Sequence, residues 1–548
     1  MKDFSFQNRS KIMNQMATSL FDLIIIGGGI TGAGIALDAA SRGLKTVLIE
    51  KNDFAFGTSS RSTKLIHGGL RYLKQFEFGL VKEVGSERAI LHKLAPHLVV
   101  PEKMLLPLYE KKGLGYWLTS IGLKVYDLLA GVKAEDRRRM LTKMQTLKFE
   151  PLLQHDIKGG AIYAEYRTDD ARLTIEIIKS AVEHGALILN YCKVNDFLYS
   201  TDKMISGVVV EDQLSKEIFS VNGKVVVSAT GPWVDELRDL NKSKQGKRLH
   251  LTKGVHIVFP REKLPVEQAI YFDVEDGRMI FAIPRGRTTY VGTTDTNYVG
   301  SKDKVLTNHE DAQYLLKAVN AMFPSLKLEI DDIESSWAGL RPLIHEEGKS
   351  ASELSRKDEI FESSTGLISI AGGKLTGYRK MAERVVNFVG KKYFEDLDLK
   401  ACFTDRIKFE ASSFESFKEV KLYKTSIFHK VKLSGFSELT AHYLVENFGI
   451  QTDLILKRYE ARSAHENPEL SLLKSELWFT IQYEMVAGLQ DFFVRRSGLI
   501  NFDIHQVIKW KFEIANECKV LLNWSEDKMF SELQELDSLI QSVQNFKI

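Results

Sequence analysis

The sequence predicts an α/β fold in three parts: a Rossmann-like parallel unit near the start, an antiparallel-sheet region interleaved with it, and a mostly helical C-terminal domain. Three observations predict it. Between Phe21 and Glu50 an apolar run, a glycine turn, a small-residue helix pattern and a second apolar run follow one another. A series of short strand-like segments occupies residues 204–292. After about Lys400 glycine and strand signals thin out and helical periodicity takes over.

In the first unit, Phe21–Ile26 reads as a strand, Gly27-Gly28-Gly29 as a turn, Ile30–Ser41 as a helix and Thr46–Ile49 as a parallel second strand. Gly27-x-Gly29-x-x-Gly32 stands at the strand-to-helix junction. The first glycine makes the tight turn, the second lets the backbone approach a pyrophosphate, and the third lets helix pack on strand. The helix N-terminus offers unpaired N–H groups and partial positive charge to a phosphate. Glu50 closes the second strand; its carboxylate can accept ribose hydroxyls and would repel a 2′-phosphate. The unit therefore predicts a dinucleotide site.

Beyond it, helical spacing covers residues 80–100, 114–132 and 171–184. Strands are expected at Leu187–Leu189, Met204–Glu211, Val225–Ser228, Val255–Phe259, Met279–Pro284 and Thr289–Gly292. Gly366–Ala371 reads as a buried strand whose Gly372-Gly373 turn opens a helix from Leu375 to Val389. Gly231 follows another apolar strand. Residues drawn from 27–34, 50, 58–64, 231 and 372–376 suit a cofactor wrapped by the whole chain, and FAD has that length. Periodicity alone leaves FAD and NAD both open. The expected layout is an N-terminal extension over 1–20, an oxidoreductase region over 21–399 and a helical domain over 400–548. Within 21–399 the cofactor segments are about 21–80, 160–235 and 335–395, and the substrate segments about 81–159 and 236–334.

Composition removes several classes. Basic residues number 75 and acidic residues 72, too balanced for a nucleic-acid partner. Cys192, Cys402 and Cys518 lie far apart without CxxC spacing, and the histidines lack metal-ligand spacing, so neither a disulfide framework nor a metal is expected. The first twenty residues have no apolar core of signal-peptide length, and no apolar run is long enough for a transmembrane helix. The expected location is cytoplasmic or on a membrane surface.

The stretch DLIIIGGGITGAGIALDAASRGLKTVLIEKNDFAFGTSSRSTKLIHGGLRYL resembles the N-terminus of the FAD-dependent glycerol-3-phosphate dehydrogenases. SATGPWVDEL, TKGVHIVFP, YVGTTDT, WAGLRPL and IAGGKLTGYRKMAE are similar too, and EMVAGLQDFFVRRSGL resembles the family's C-terminal domain more weakly. The resemblance runs from about residue 20 to residue 400. It implies FAD as cofactor, oxidation of sn-glycerol 3-phosphate to dihydroxyacetone phosphate, and delivery of electrons to a membrane quinone from the inner face of the cytoplasmic membrane. Some relatives use oxygen instead. No insertion like theirs stands out in the middle region, which favours the dehydrogenase. The helical domain has no calcium-binding loop. Dimer contacts are one conceivable use for it.

Oxidising a secondary alcohol at a flavin needs a base for the hydroxyl proton and a clamp that points C2 at the ring. The resemblance implies Arg341 and Arg356 as the phosphate clamp, since guanidinium forks bind phosphate bidentately. Lys374 is placed to touch the phosphate or the flavin's polar edge. Arg71 and Tyr72 are expected to line the substrate pocket. His67 and His256 are alternative bases, because imidazole titrates near neutrality. Ser59, Ser60, Thr63 and Lys64 match the family's flavin-contacting segment, and Gly27, Gly29, Gly32, Glu50, Gly231, Gly372, Gly373 and Thr376 complete the cofactor set. Leu114–Val132, aromatic and flanked by lysines, would suit a helix lying in a membrane interface, although the same pattern fits a core helix. Three other readings stay open: an oxygen-using oxidase of the same substrate, an amino-acid or sarcosine-type oxidase, and a catalytically silent flavin-binding scaffold. Three clustered cations at Arg341, Arg356 and Lys374 exceed what a carboxylate substrate requires.

Overall fold

The computed structural model describes residues 4–66, 78–109, 137–153, 156–345, 358–462 and 466–546, together with Lys124. Two sheets organise the first 400 residues. Among the described residues the first contains eight strands, and its main path runs Glu359–Glu362, Leu367–Ala371, Ile218–Ser228, Leu20–Ile26, Thr46–Ile49, Leu187–Leu189. The pairings among the last five of these are parallel. Ile26 lies opposite both Ile49 and Ser228, and Ser228 lies opposite Ser369. Four parallel strands therefore finish at one edge of the sheet, where the chain turns at Gly27, Glu50, Ala229 and Gly372.

Local sequence makes this sheet hydrophobic on both faces. Leu23, Ile24 and Ile25 have no exposed surface. The helix Ile30–Ser41 is built almost wholly from small and aliphatic residues, and its first ten but one are buried. It can be so because helices Asp170–Glu183 and Tyr378–Tyr393 pack along it on the sheet. Two contacts require glycine: a Cβ on Gly32 would stand 1.9 Å from the Gly27 carbonyl oxygen, and one on Gly34 2.7 Å from the Tyr378 ring. Ahead of the first strand stands a helix, Arg9–Thr18, whose Arg9 is buried against Asp212.

The second sheet has ten strands among the described residues and is mainly antiparallel. Leu249–Pro260 is its pivot, pairing with Thr288–Gly292 on one side and Ser335–Ile344 on the other. The expected strands of the middle region are present, and Val225–Ser228 is the end of a longer strand that begins at Ile218. Several further strands carried no sequence expectation, three long ones among them. Val100–Tyr109 and Ser335–Ile344 each contain proline, and Ile157–Arg167 contains two glycines; all are held by long-range pairing. The helix expected over 80–100 is Phe78–Leu94, and it stops ahead of Pro96. Ile157–Arg167 and Ser335–Ile344 pair within the antiparallel sheet.

From Phe417 to Gln544 the described chain is helical, as expected. The interface between this domain and the rest contains a buried charged cluster: Arg172 donates to both oxygens of Glu484, at 2.5 and 2.8 Å, and Lys179 joins them at 3.3 Å. Among the described residues no helix is long and apolar enough to cross a membrane. The segment Leu114–Val132, apart from Lys124, lies outside the described residues.

Gly32→Ala tests the sheet edge. The added methyl must push helix from strand, with an expected loss of about 1–3 kcal/mol visible in thermal unfolding. An unchanged melting temperature would contradict the tight junction.

Candidate active site

A cavity of about 1330 Å³ opens along the edge where the four parallel strands end. That exceeds the roughly 300–1,000 Å³ of an ordinary small-ligand pocket. It is a site of the kind open parallel sheets form beyond the carboxyl ends of their strands. Gly27, Gly29, Glu50, Ser59, Gly231, Gly372, Gly373, Lys374 and Thr376 line it from the first sheet and its loops. Thr63, His256 and Arg341 line it beside the second sheet. Gly27, Gly231, Gly372 and Gly373 all have positive φ, and a Cβ on Gly27 would come within 2.6 Å of the Ala229 carbonyl oxygen. These turns need glycine for geometry as well as for access.

The helix Ile30–Ser41 points its N-terminus at this cavity. Ser59 Oγ accepts the first helical N–H, from Ile30, at 2.9 Å, and a Cβ on Gly29 would sit 3.1 Å from the same oxygen. Glu50 accepts from Gly28 N–H at 2.6 Å and from Asn52 N–H at 2.8 Å. Burial raises the Glu50 pKa, and these two backbone bonds oppose the rise. Each carboxylate oxygen can accept more than one hydrogen bond, so the group suits a ribose diol.

Across the cavity, the antiparallel register fixes Arg341 and His256. Arg341 lies opposite Thr252. Its Nη1 donates to the Thr294 carbonyl at 3.0 Å and to Asp295 at 3.1 Å, and its Nη2 donates to Thr293 Oγ1 at 2.9 Å. The fork passes over Gly254, where a Cβ would be 2.5 Å from Nη2. His256 lies between Gly292 and Trp337 in the sheet. It stacks on the Trp337 ring at 4.7 Å, and a Cβ on Gly292 would overlap its ring at 2.1 Å. Its Nε2 is 3.0 Å from Thr63 Oγ1, and Nδ1 has no hydrogen-bond partner among the described residues. Burial, with Arg341 and Lys64 adding positive potential, holds its pKa well below the usual histidine value. The imidazole is therefore neutral at physiological pH.

Three of the expected contacts lie elsewhere. Lys64 is buried away from the cavity; its Nζ pairs with Asp170 at 2.6 Å and Asp169 at 3.3 Å. That arrangement staples the Ser59–Lys64 segment to the start of helix Asp170–Glu183. Ser60 is buried and gives its carbonyl to Lys64 Nζ at 3.3 Å. Gly32 serves helix packing. His67, Arg71, Tyr72 and Arg356 lie outside the described residues.

The structure also adds lining residues that sequence reasoning passed over. Arg61 stacks over Phe56 at 5.2 Å, and burial, with Arg495 adding to it, lowers its pKa to about 10. A cation so desolvated is relieved by an anion. Trp233 lines the cavity with its indole nitrogen buried and without a partner among the described residues. Thr293 and Asp295 orient Arg341; the YVGTTDT motif held them, but nothing local showed what they hold.

The chain's residues 22–379 match the model of the FAD dependent oxidoreductase family, and residues 402–529 match that of the C-terminal domain of alpha-glycerophosphate oxidase. The chain belongs to the FAD-dependent oxidoreductases. FAD is its cofactor, and the glycine turns, Glu50 and Ser59 fit it. Among curated relatives, the aerobic glycerol-3-phosphate dehydrogenase of Bacillus subtilis (strain 168) is 49% identical over 543 residues, covering 98% of each chain. That of Staphylococcus epidermidis is 46% identical over 536 residues, covering 97% of this chain and 96% of the relative. The crystal structure of the glycerol-3-phosphate dehydrogenase from Bacillus halodurans complexed with FAD superposes with a TM-score of 0.84 at 42% identity. The superposition covers 100% of this chain and 99% of that one, so both contain the helical domain.

His256 carries a pH prediction. Its folded pKa is depressed, so it adds stability above about pH 6.5 that is lost as pH falls below it. His256→Gln should flatten this acid-side decline, measured by denaturant unfolding of the two proteins at several pH values. Parallel stability profiles would show the histidine to titrate alike in the folded and unfolded chain and would contradict its depressed pKa.

Proposed function

We propose that this chain oxidises sn-glycerol 3-phosphate to dihydroxyacetone phosphate and passes the electrons to a membrane quinone. The observation that carries the reading is Arg341, a guanidinium fixed on three sides and facing the same cavity as the cofactor loops. The names of the relatives, matched over nearly the whole chain, support the substrate. Bound FAD would supply the acceptor for a hydride from C2.

The protein's part is to bind, orient and take a proton. In this reading Arg341 grips the substrate phosphate, with Arg71, Tyr72 and Arg356 completing the pocket and Lys374 at its flavin end. A preset fork loses little freedom on binding, so C2 is held at one distance and angle. His256 takes the hydroxyl proton on Nδ1 while Nε2–H donates to Thr63. Arg341 is the second cause of its low basicity after burial. A phosphate dianion on Arg341 offsets that cause, so the base strengthens as substrate arrives. His67 is the alternative base. Ser59, Glu50 and the glycine turns hold the cofactor, while Lys64 and Ser60 act from beneath the loop.

We place the enzyme on the inner face of the cytoplasmic membrane, with Leu114–Val132 as its contact. One observation favours a second acceptor: the C-terminal match is to a glycerophosphate oxidase. An assay of purified protein with substrate, run once with oxygen alone and once with quinone-loaded vesicles, separates the two. Quinone reduction with little peroxide is expected; peroxide at the full turnover rate would establish the oxidase. Arg341→Lys keeps the charge and loses the fork, so KM for sn-glycerol 3-phosphate should rise about 10- to 100-fold. An unchanged KM would remove Arg341 from the phosphate site.

A further inference from the structure

The loop from Lys51 to Thr58 joins two cofactor contacts, Glu50 and Ser59, and its Phe56 and Thr58 line the cavity. It does not hold its shape by local bonding alone. Ala55 sits at φ +60°, a region that disfavours residues with a Cβ, and is tied by its N–H to Gly28 O at 3.0 Å. The loop's buried anchor is Asp53, with no exposed surface.

Both oxygens of Asp53 are taken from the C-terminal domain. Arg496 forms a two-pronged pair with it, Nη1 to Oδ2 and Nη2 to Oδ1, both at 2.9 Å. Arg495 Nε donates to Oδ2 at 2.5 Å. Asn190 Nδ2, at 3.1 Å, is the contribution from the sheet side. The two arginines are themselves held. Arg496 donates to the Glu484 carbonyl at 2.8 Å, and Arg495 to Asp491 at 2.8 Å. Asp491 also accepts from Tyr191 Oη at 2.6 Å. Arg495 lies 5.8 Å from the Phe56 ring centre, the ring that also carries Arg61. Both arginines belong to the π-helical run Asp491–Arg496, a rare geometry that often marks functional positions.

A buried ion cluster is a weak source of net stability, because desolvation offsets its attraction. What it supplies is direction, and here it is spent on one loop. We propose that Arg495 and Arg496 are positioning residues for FAD: through Asp53 they hold the Glu50–Ser59 loop in its cofactor-binding shape and so couple docking of the C-terminal domain to cofactor binding. The coupling is reciprocal by thermodynamic necessity, so FAD must in turn tighten the docked helices around residues 484–496.

The test uses full-length protein freed of FAD and titrated with it, followed by quenching of flavin fluorescence. Wild-type binding in the same titration is the control for the cofactor itself. Arg496→Lys keeps charge but loses the fork, and Arg495→Met keeps bulk but loses charge. Each is expected to weaken FAD binding roughly tenfold or more, within the usual range of coupling between sites. A variant that melts earlier yet binds FAD as tightly as wild type would reduce the arginines to a structural role and overturn the proposal. Should the variants fail to fold, hydrogen exchange of the wild type decides. Amides of residues 484–496 should exchange more slowly with FAD bound, and equal exchange with and without FAD would overturn the coupling.

Discussion

The constraint on which the rest of the structure depends is contact between backbones at the ends of four parallel strands. Gly32 touches the Gly27 carbonyl, and Gly27 touches the Ala229 carbonyl, at distances that no side chain allows. This closeness brings the turns after Ile26, Ile49, Ser228 and Ala371 to one edge. A helix N-terminus, a carboxylate and a pair of positive-φ glycines then face one cavity without any long side chain having to reach across it. The fold prepares the electrostatics of the site before the cofactor arrives.

A second layer of fixing comes from the antiparallel sheet. It grips the same loop that the parallel sheet presents: Trp337 Nε1 donates to Ser62 O, Tyr290 Oη to Thr63 O, both at 3.0 Å, and His256 meets Thr63 Oγ1. Beneath, the Lys64 pair with Asp169 and Asp170 locks the loop to a helix start. Behind the preceding loop stand Arg495 and Arg496. The cofactor loops are thus set from three directions, by two sheets and the helical domain, each using groups distant in sequence. Rigid placement is what orientation-dependent chemistry asks for.

Much of this was legible in the sequence, and the reason is locality. Strand, glycine turn, helix and terminal Glu50 occupy thirty adjacent residues, so their geometry follows from short-range rules. Gly231 and the Gly372-Gly373 turn were readable in the same way, each as a glycine break after an apolar strand. What failed to show was pairing between distant residues. Lys64 reads as a cofactor contact because it stands with Ser59, Ser60 and Thr63 in a polar segment that resembles the family's flavin-contacting one; nothing in that segment reveals that Asp169 and Asp170 will claim it. Ser335–Ile344 reads poorly as a strand because its proline and glycine spoil the local pattern. It is a strand because ten residues of Leu249–Pro260 pair with it. The Asp295–Arg341 and Asp53–Arg496 pairs were invisible for the same reason, since each joins residues dozens to hundreds of positions apart.

In the function proposed above, this preset cavity places a polyol phosphate against FAD. That placement is tested most directly by anaerobic titration of the purified yellow protein, with absorbance followed in the flavin band. The expected result is bleaching by sn-glycerol 3-phosphate and none by glycerol or sarcosine. A flavin that stays oxidised with the phosphate ester, or one that sarcosine reduces, would contradict it.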